Sequence, residues 1–183
     1  QKLDFLHFVI MLAPQIPLFF MGEEAHLRTP FPFFIDLPED AAKPMRADRY
    51  KQMRESFGED VEDGDLPDPN DPATFESAVL DWNAFGEPAR RAALDRFRTL
   101  AAWRRERLWP LSATPCLDAR TGRQGAAIVV SWIFEAGTLT MALNPSDLPA
   151  DIACDITTSP VSTGEFSQQD HVLRLGPWSA VAW

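Results

Sequence analysis

The sequence predicts an α/β region followed by an all-β region within 183 residues. Residues 14–20 form a short apolar run between prolines, and Gly22, Glu23 and Glu24 follow it. Such a run is typical of a buried strand in a parallel sheet, which ends at a turn that presents acidic side chains. Beyond Pro110, short apolar or alternating segments separated by Gly, Asn and Pro predict antiparallel strands.

Residues 3–13 are strongly apolar and are predicted to form a buried helix that leads into the strand. Pro14 and Pro17 interrupt the apolar run, which is shorter than the roughly 20 residues that span a bilayer. The run also lacks the basic flank and small-residue cleavage site of a secretion signal. The chain starts at Gln1 rather than at Met, and we expect it to be a fragment or a processed chain.

The composition narrows the classes of function. A net charge of −10 argues against a nucleic acid or an anionic membrane as a partner, because both select a basic surface. The two cysteines, Cys116 and Cys154, are too few for a disulfide framework or a zinc knuckle. Reduced core thiols are favoured, and a single bridge stays open as the alternative. The three histidines do not recur at ligand spacing, so we expect neither a metal nor a cofactor.

Residues 25–72 are rich in proline and acids. Residues 29–36, with the sequence TPFPFFID, place aromatic rings between prolines and cannot form an ordinary helix. Residues 44–57 carry side chains spaced by three or four and predict a helix. Residues 58–72 predict an extended acidic loop, after which Asn70 or Asp71 caps a short helix that starts at Pro72. Phe75, Val79 and Trp82 are expected on one side of this segment.

A longer helix is predicted from Glu87 and Pro88 to about Arg107. Its apolar stripe runs through Leu94, Phe97 and Leu100 to Trp103 and Arg104. The arginines in its last turn are expected to form a solvated, basic helix end that suits the helix dipole.

Six or seven short strands are predicted after Pro110, and they would form a compact antiparallel sandwich. Five of these strands are expected at residues 126–134, 138–143, 152–156, 172–175 and 179–183.

Several motifs of this sequence resemble those of one family. PQIPLFFMGEE at residues 14–24 and TPFPFFID at 29–36 are similar to the eighth strand and following loop of the malto-oligosyltrehalose trehalohydrolases, in the α-amylase superfamily of glycoside hydrolases. DPNDPATF at 68–75 and LDW at 80–82 are similar to a second motif of that family. The helix that ends in WRRER and the β region also resemble its last barrel helix and C-terminal domain.

The resemblance implies a fold and an activity. Residues 1–108 would be the end of a catalytic TIM barrel, with its eighth strand, and residues 109–183 a C-terminal β-sandwich. The implied enzyme is a retaining cytoplasmic hydrolase that cleaves the α-1,4 bond next to the terminal trehalose of maltooligosyl trehalose. Retaining glycosidases use two carboxyl groups about 5–5.5 Å apart. The family's three catalytic carboxylates are expected before Gln1, so this fragment would need the missing N-terminal portion.

Several residues of this chain are expected near the sugar. Glu23 and Glu24 are adjacent and point to opposite faces of a strand end, so we expect supporting roles: one orients a neighbour or a sugar hydroxyl, and the other bonds local amides. The aromatic-proline loop is the other candidate, because aromatic faces stack on sugars while charged groups bind hydroxyls. The predicted substrate-binding residues are Glu23, Glu24, His26, Arg28, Phe31 and Asp36.

For several other residues the sequence predicts mainly structural roles. Phe33 and Phe34 either face the sugar or plug the barrel end. Trp82 and Trp103 are expected to be core anchors, and His7 a satisfied buried histidine. Arg46 and Arg49 are expected to pair with the acidic loop, and residues 68–72 to form a turn and a helix cap rather than a calcium site.

Two other classes of function stay open. One is a non-catalytic carbohydrate-binding or scaffolding fragment that uses the β domain, although the positions of Trp132, Trp178 and Trp183 within apolar segments favour a core role. The other is a different α-amylase relative, such as a branching enzyme or an α-glucosidase.

Overall fold

The computed structural model describes residues 1–58 and 66–183. The chain divides into two compact units. The first unit contains residues 1–25 and 91–183, and the second contains residues 26–90. The predicted division into residues 1–108 and 109–183 stays a prediction.

The first unit begins with helix α1 (Lys2–Leu12). Phe5, Phe8 and Leu12 are buried on one side of α1, at spacings of three and four residues. The opposite side is also apolar but exposed, with Leu3, Leu6 and Ile10 each more than 40% accessible. A helix that is apolar all round is normally covered on both sides, and here only one side is covered by the described residues.

Residues 16–20 do not form the predicted buried strand. No β-ladder among the described residues includes them, and Ile16 and Leu18 are 95% and 91% exposed. A parallel strand needs hydrogen-bonded neighbours, and none is present in the described part of the chain. The alternation expected of a strand is nevertheless visible, because Ile16, Leu18 and Phe20 are exposed while Pro17 and Phe19 are partly buried.

The long helical segment has three parts. Helix α4 (Pro88–Trp103) continues into one π-helical turn (Arg104–Leu108) and then the short helix α5 (Trp109–Ser112). Leu100 and Leu108 are buried, as is Arg104 midway between them. The prediction of a solvated arginine cluster is therefore wrong for Arg104. The side chain of Arg105, by contrast, is 64% exposed.

Arg104 binds the chain where it leaves α1. Its guanidinium donates hydrogen bonds to the carbonyl oxygens of Met11 (2.6 Å), Ala13 (2.7 Å) and Gln15 (2.8 Å). The C-terminal carbonyls of a helix lack partners within the helix, and a cation at that end is also favoured by the helix dipole. Burial lowers the pKa of the Arg104 guanidinium. The guanidinium is nevertheless charged at neutral pH.

The β region consists of eight antiparallel strands in two sheets. The larger sheet has the order β1-β2-β3-β8-β5, and the smaller has the order β4-β7-β6. The strands are β1 (Cys116–Gln124), β2 (Ala127–Phe134), β3 (Gly137–Asn144), β4 (Ala150–Ala153), β5 (Val161–Thr163), β6 (Phe166–Gln169), β7 (Val172–Leu175) and β8 (Ser179–Ala182).

Alternation along β3 and β8 places the larger sheet between two cores. Met141 and Ala182 pack with α1 and Leu100 on one face. Ala142 and Val181 pack on the other face with Leu173 of the smaller sheet. Neighbouring residues of a strand point to opposite faces, so the two apolar strands can serve both cores. One face of the larger sheet therefore carries helices and the other carries the second sheet.

Trp178 connects the β region to the start of α1. Its indole Nε1 donates to Asp147 (2.7 Å), and its ring meets that of Phe5 edge-on at 5.6 Å. The Lys2 ammonium lies 4.5 Å from the centre of the Trp178 ring. Trp132 and Trp178 pack against the helical core, and Trp183 is buried in the core between the sheets, as expected from their apolar segments.

Strand prediction succeeded where one face is buried. The predicted strands at 126–134, 138–143, 172–175 and 179–183 are confirmed within two residues. The strand predicted at 152–156 lies at Ala150–Ala153. Strand β1 was missed because it is an edge strand whose nine residues are all exposed, so it carries no apolar signal. The cysteines are both free, and Cys116 is exposed rather than a core thiol.

The second unit contains helix α2 (Glu39–Phe57), helix α3 (Pro72–Ser77) and a 3₁₀ turn (Trp82–Gly86). Helix α2 begins earlier than predicted, because Pro38 accepts from the amides of Ala41 and Ala42 and Pro44 is tolerated within the helix. The predicted cap of α3 is confirmed: Asp71 accepts from the amide of Ala73 at 2.9 Å. Residues 59–65 of the predicted acidic loop lie outside the described residues.

Within residues 1–58 and 66–183, no helix is long and apolar enough to cross a membrane. The same residues contain no group of three or more His, Cys, Asp or Glu side chains that could hold a metal ion.

We predict that R104M destabilises the protein by about 3 kcal/mol, because three carbonyl groups lose charge-assisted hydrogen bonds at a buried position. The matched control is R105M, whose exposed side chain should change the free energy of unfolding by less than about 0.5 kcal/mol. Urea unfolding measures both. Equal effects of the two substitutions would contradict the role assigned to Arg104.

Candidate functional site

The Met-Gly-Glu-Glu sequence forms a tight turn in the first unit. Gly22 has a φ of 87°, a conformation that favours glycine. The amide of Phe20 donates to Glu23 Oε2 at 2.9 Å, and the amide of Glu23 donates to the Phe20 carbonyl at 3.1 Å. Glu23 therefore bonds a local amide, as expected for one of the two glutamates. Glu23 is exposed, Glu24 is half-buried, and the two lie in one 3₁₀ turn (Glu23–Ala25) rather than at a strand end.

His7 is a buried residue of α1. It is 6% exposed, and its ring meets those of Phe19 and Phe97 edge-on, with centroids 5.5 and 6.2 Å away. Burial lowers the pKa of His7, although the negative charges of Glu23, Asp4 and Glu24 act in the opposite direction. The expectation of a buried histidine is confirmed. The ring is thus held in an apolar setting with carboxylates nearby.

Asp4 is paired with α4. Arg96 Nε lies 2.9 Å from Asp4 Oδ1. Partial burial tends to raise the pKa of Asp4, but the charges and hydrogen bonds of Arg96 and of the N-terminal ammonium together lower the pKa overall. This ion pair ties the first turn of α1 to the middle of α4.

The predicted substrate-binding residues of the second unit lie within its first eleven residues. His26 has a φ of 55° and its carbonyl accepts a hydrogen bond from the Arg90 guanidinium. Arg28 and Asp36 are exposed, and Phe31 is 53% exposed. The loop thus presents a cation, a carboxylate and an aromatic ring to its surroundings, which is the mixture that sugar recognition uses.

The aromatic rings of the loop form a chain of edge contacts. The ring centres of Phe31 and Phe34 are 5.5 Å apart, and those of Phe34 and Phe75 are 5.2 Å apart. The Arg49 guanidinium lies over the Phe33 ring, 5.5 Å from its centre. Its pairing with the acidic loop stays a prediction, because residues 59–65 lie outside the described residues. Arg46 does pair with Asp68 at 2.8 Å, and also with Glu39. Phe34 is therefore partly packed, while Phe31 keeps an exposed face.

Asn70 fixes the end of this loop. Its Oδ1 accepts from the Leu37 amide and its Nδ2 donates to the Leu37 carbonyl, both at 3.0 Å. The Ile35 amide donates to the Pro69 carbonyl at 2.7 Å. The side-chain amide thus takes the place of a neighbouring strand and holds the backbone on both sides of Asp36. Asp68 to Pro72 form the expected turn and cap.

Sequence reasoning missed Asn70 as an anchor and Arg104 as a buried cation. The burial of Arg104 could have been predicted from its spacing, because Leu100, Arg104 and Leu108 recur every four residues on the buried side of the helix. Asn70 had no such signal, since its partner Leu37 is 33 residues away. The expectation for Trp82 was wrong: the side chain is 73% exposed rather than a core anchor. Trp103 does pack against two apolar clusters.

Comparison with known proteins identifies the family. The chain is 30% identical over 176 residues to a malto-oligosyltrehalose trehalohydrolase of Rhizobium sp. (strain M-11). It is 36% identical over 178 residues to the enzyme of the same name from Brevibacterium helvolum. Both alignments cover 93% of this chain. The chain belongs to the malto-oligosyltrehalose trehalohydrolase family. It spans 28% of the length of each of these two relatives. No family model matches the chain.

Solved structures agree with the trehalohydrolase assignment at the level of the fold. A crystal structure from Salmonella typhimurium, assigned to the α-amylases, is 30% identical, with a TM-score of 0.75. The structural alignment covers 99% of this chain and 30% of the Salmonella typhimurium chain. The trehalulose synthase MutB from Pseudomonas mesoacidophila is 14% identical, with a TM-score of 0.58. That alignment covers 99% of this chain and 37% of the MutB chain. The chain is therefore similar to part of the α-amylase family enzymes, with α/β character and antiparallel sheets.

We predict that N70A loosens the loop of this trehalohydrolase relative. Without the side-chain amide, the backbone of Leu37 loses two hydrogen bonds, so the amides of Ile35 and Leu37 should exchange with solvent about tenfold faster. Hydrogen exchange followed by mass spectrometry measures this. N83A is the control, because Asn83 is exposed on the 3₁₀ turn. Unchanged exchange at Leu37 in N70A would show that the loop is held by other contacts.

We predict that His7 makes the protein less stable as the pH falls. The pKa of His7 is lowered in the folded state from its ordinary value of 6.5, so the unfolded chain binds the proton more readily. Stability is then complete above the unfolded pKa and is lost as the pH falls towards the folded pKa. The H7Q variant should lose less stability than the parent between about pH 7 and pH 5.

The measurement is the urea midpoint at a series of pH values, and the comparison is the slope rather than the absolute stability. The exposed ring of His171, which pairs with Asp155 at 2.8 Å, provides the matched H171Q control. A parent-like slope in H7Q would assign the acid sensitivity to other groups.

Proposed function

We propose that this chain is part of a retaining glycoside hydrolase that cleaves the α-1,4 bond next to the terminal trehalose of maltooligosyl trehalose. The observation that carries the proposal is the similarity to two proteins named malto-oligosyltrehalose trehalohydrolase, which extends over 93% of the chain. The α-amylase assignment of the Salmonella typhimurium structure supports the broader class.

On this proposal, residues 1–108 complete a TIM barrel and residues 109–183 form its C-terminal β-sandwich. Two features of the first unit support this. The outer side of α1 and the edge formed by Ile16 and Leu18 are apolar and exposed, as expected of a last barrel strand and helix whose neighbours belong to another part of the protein. The smaller sheet packs face to face on the larger through a shared apolar core.

The catalytic carboxylates are assigned to the remainder of the enzyme, which this chain would join as a covalent part or as a nicked partner. Glu23 is engaged with the Phe20 amide, which suits a residue that shapes the turn rather than a nucleophile. In each unit, separately, we assign substrate contacts to exposed or half-buried polar and aromatic groups. These are Glu23 and Glu24 in the first unit, and His26, Arg28, Phe31 and Asp36 in the second.

We predict that the longer polypeptide containing this chain releases trehalose from maltooligosyl trehalose, with an anomeric configuration retained in the glucan product. Residues 1–183 alone should release none, because a retaining hydrolase needs its nucleophile and acid/base pair. The measurement is trehalose release by chromatography, with the anomeric outcome followed by NMR.

Two results would redirect the proposal. Formation of new branch points or transfer of glucan without trehalose would assign the protein to another α-amylase relative. Binding of the glucan without any cleavage would support the carbohydrate-binding alternative.

A further inference from the structure

Trp82 is held with one face of its indole covered and the rest exposed. It begins the 3₁₀ turn (Trp82–Gly86), and Asp81 caps that turn by accepting from the Asn83 amide at 2.9 Å. Side chains three residues apart in a 3₁₀ helix eclipse one another. The rings of Trp82 and Phe85 are accordingly stacked, with centres 5.3 Å apart and planes 17° apart. Despite this stack, Trp82 is 73% exposed.

The stack fixes the orientation of the indole before any ligand arrives. A tryptophan has few rotatable bonds, and Phe85 supports its inner face, so little conformational entropy is lost when the outer face is covered. A large aromatic side chain that is both oriented and exposed can therefore be covered by a ligand at a low entropic cost.

The surroundings of Trp82 indicate which class of ligand fits. Asp81 and Asn83, the chain neighbours of Trp82, are both exposed, and they offer a carboxylate and an amide for hydroxyl groups. Glu76 and Glu87, which are close to Trp82 in the chain, are also exposed, and Glu87 lies 3.6 Å from the Arg90 guanidinium. The negative charge of these carboxylates disfavours nucleic acids and anionic lipids, whereas it does not oppose a neutral sugar. A pyranose ring combines an apolar C–H face with a rim of hydroxyls, which matches an aromatic platform with polar flanks.

We propose that the outer face of Trp82 stacks on a glucose ring of an α-1,4-glucan, with Asp81 and Asn83 beside the sugar hydroxyls. The choice of glucan rests on the proposed function. The inference adds a specific stacking residue to it, at a position distinct from the loop of residues 26–36.

The test uses the longer polypeptide that contains this chain, with maltoheptaose as the probe in isothermal titration. W82A should bind maltoheptaose about threefold to tenfold more weakly than the parent, the range expected for loss of one aromatic contact. The matched control is V79A, which removes exposed apolar surface three residues away without removing a ring, and which should bind as the parent does.

Two more variants separate stacking from simple coverage by another part of the protein. W82F keeps a smaller aromatic face and should retain most of the affinity, whereas W82L keeps apolar volume without a ring and should bind as weakly as W82A. If W82L and W82A both bind like the parent, or if W82F and W82L bind equally well, Trp82 is not a stacking residue.

Trehalose release by the parent is measured in parallel. A parent that releases trehalose while all three Trp82 variants retain full affinity would overturn this inference and leave the proposed function intact. A parent that releases no trehalose, with affinity lost in W82A and W82L and kept in W82F, would overturn the proposed reaction and support the stacking site.

Discussion

The buried guanidinium of Arg104 is the interaction on which the geometry of the first unit depends. Its hydrogen bonds to the carbonyls of Met11, Ala13 and Gln15 span the end of α1 and the start of the segment that follows. Without a donor these carbonyls would be costly to bury, because a helix end has no internal partner for them. The cation therefore provides partners for the carbonyls at the end of α1 and in the segment that leaves it.

Arg104 is also the first residue of the π-helical turn at the end of the long helix. The turn Arg104–Leu108 contains Arg104 and the fully buried Leu108, and its first residue must reach back towards α1. π-helical turns are rare and often occur where a side chain has a specific task. In this chain the task is structural, since the guanidinium supports the segment that ends at Gly22 and Glu23.

The second unit is organised by polar side chains that replace missing backbone partners. Asn70 binds both polar groups of the Leu37 backbone, and Asp71 and Asp81 cap the two short helical segments that follow. A loop rich in proline has few amide donors of its own and cannot pair as a strand. These side chains hold the backbone of the loop while its aromatic and charged groups stay exposed.

The sequence by itself determined the elements whose signals are local or periodic. Amphipathic spacing predicted α4, alternation predicted β2, β3, β7 and β8, and Asp71 before Pro72 predicted the start of α3. Its motifs also indicated the trehalohydrolase family, which the two relatives confirm. Tertiary structure alone decided the pairing of Arg104 with α1, the anchoring of Leu37 by Asn70 and the exposure of Trp82. These features depend on contacts between residues far apart in the chain, or on the absence of such contacts, and no local pattern encodes them. The residues at 16–20 show both sides of this limit: their apolar character is present in the sequence, whereas a strand forms only when neighbouring strands supply its hydrogen bonds.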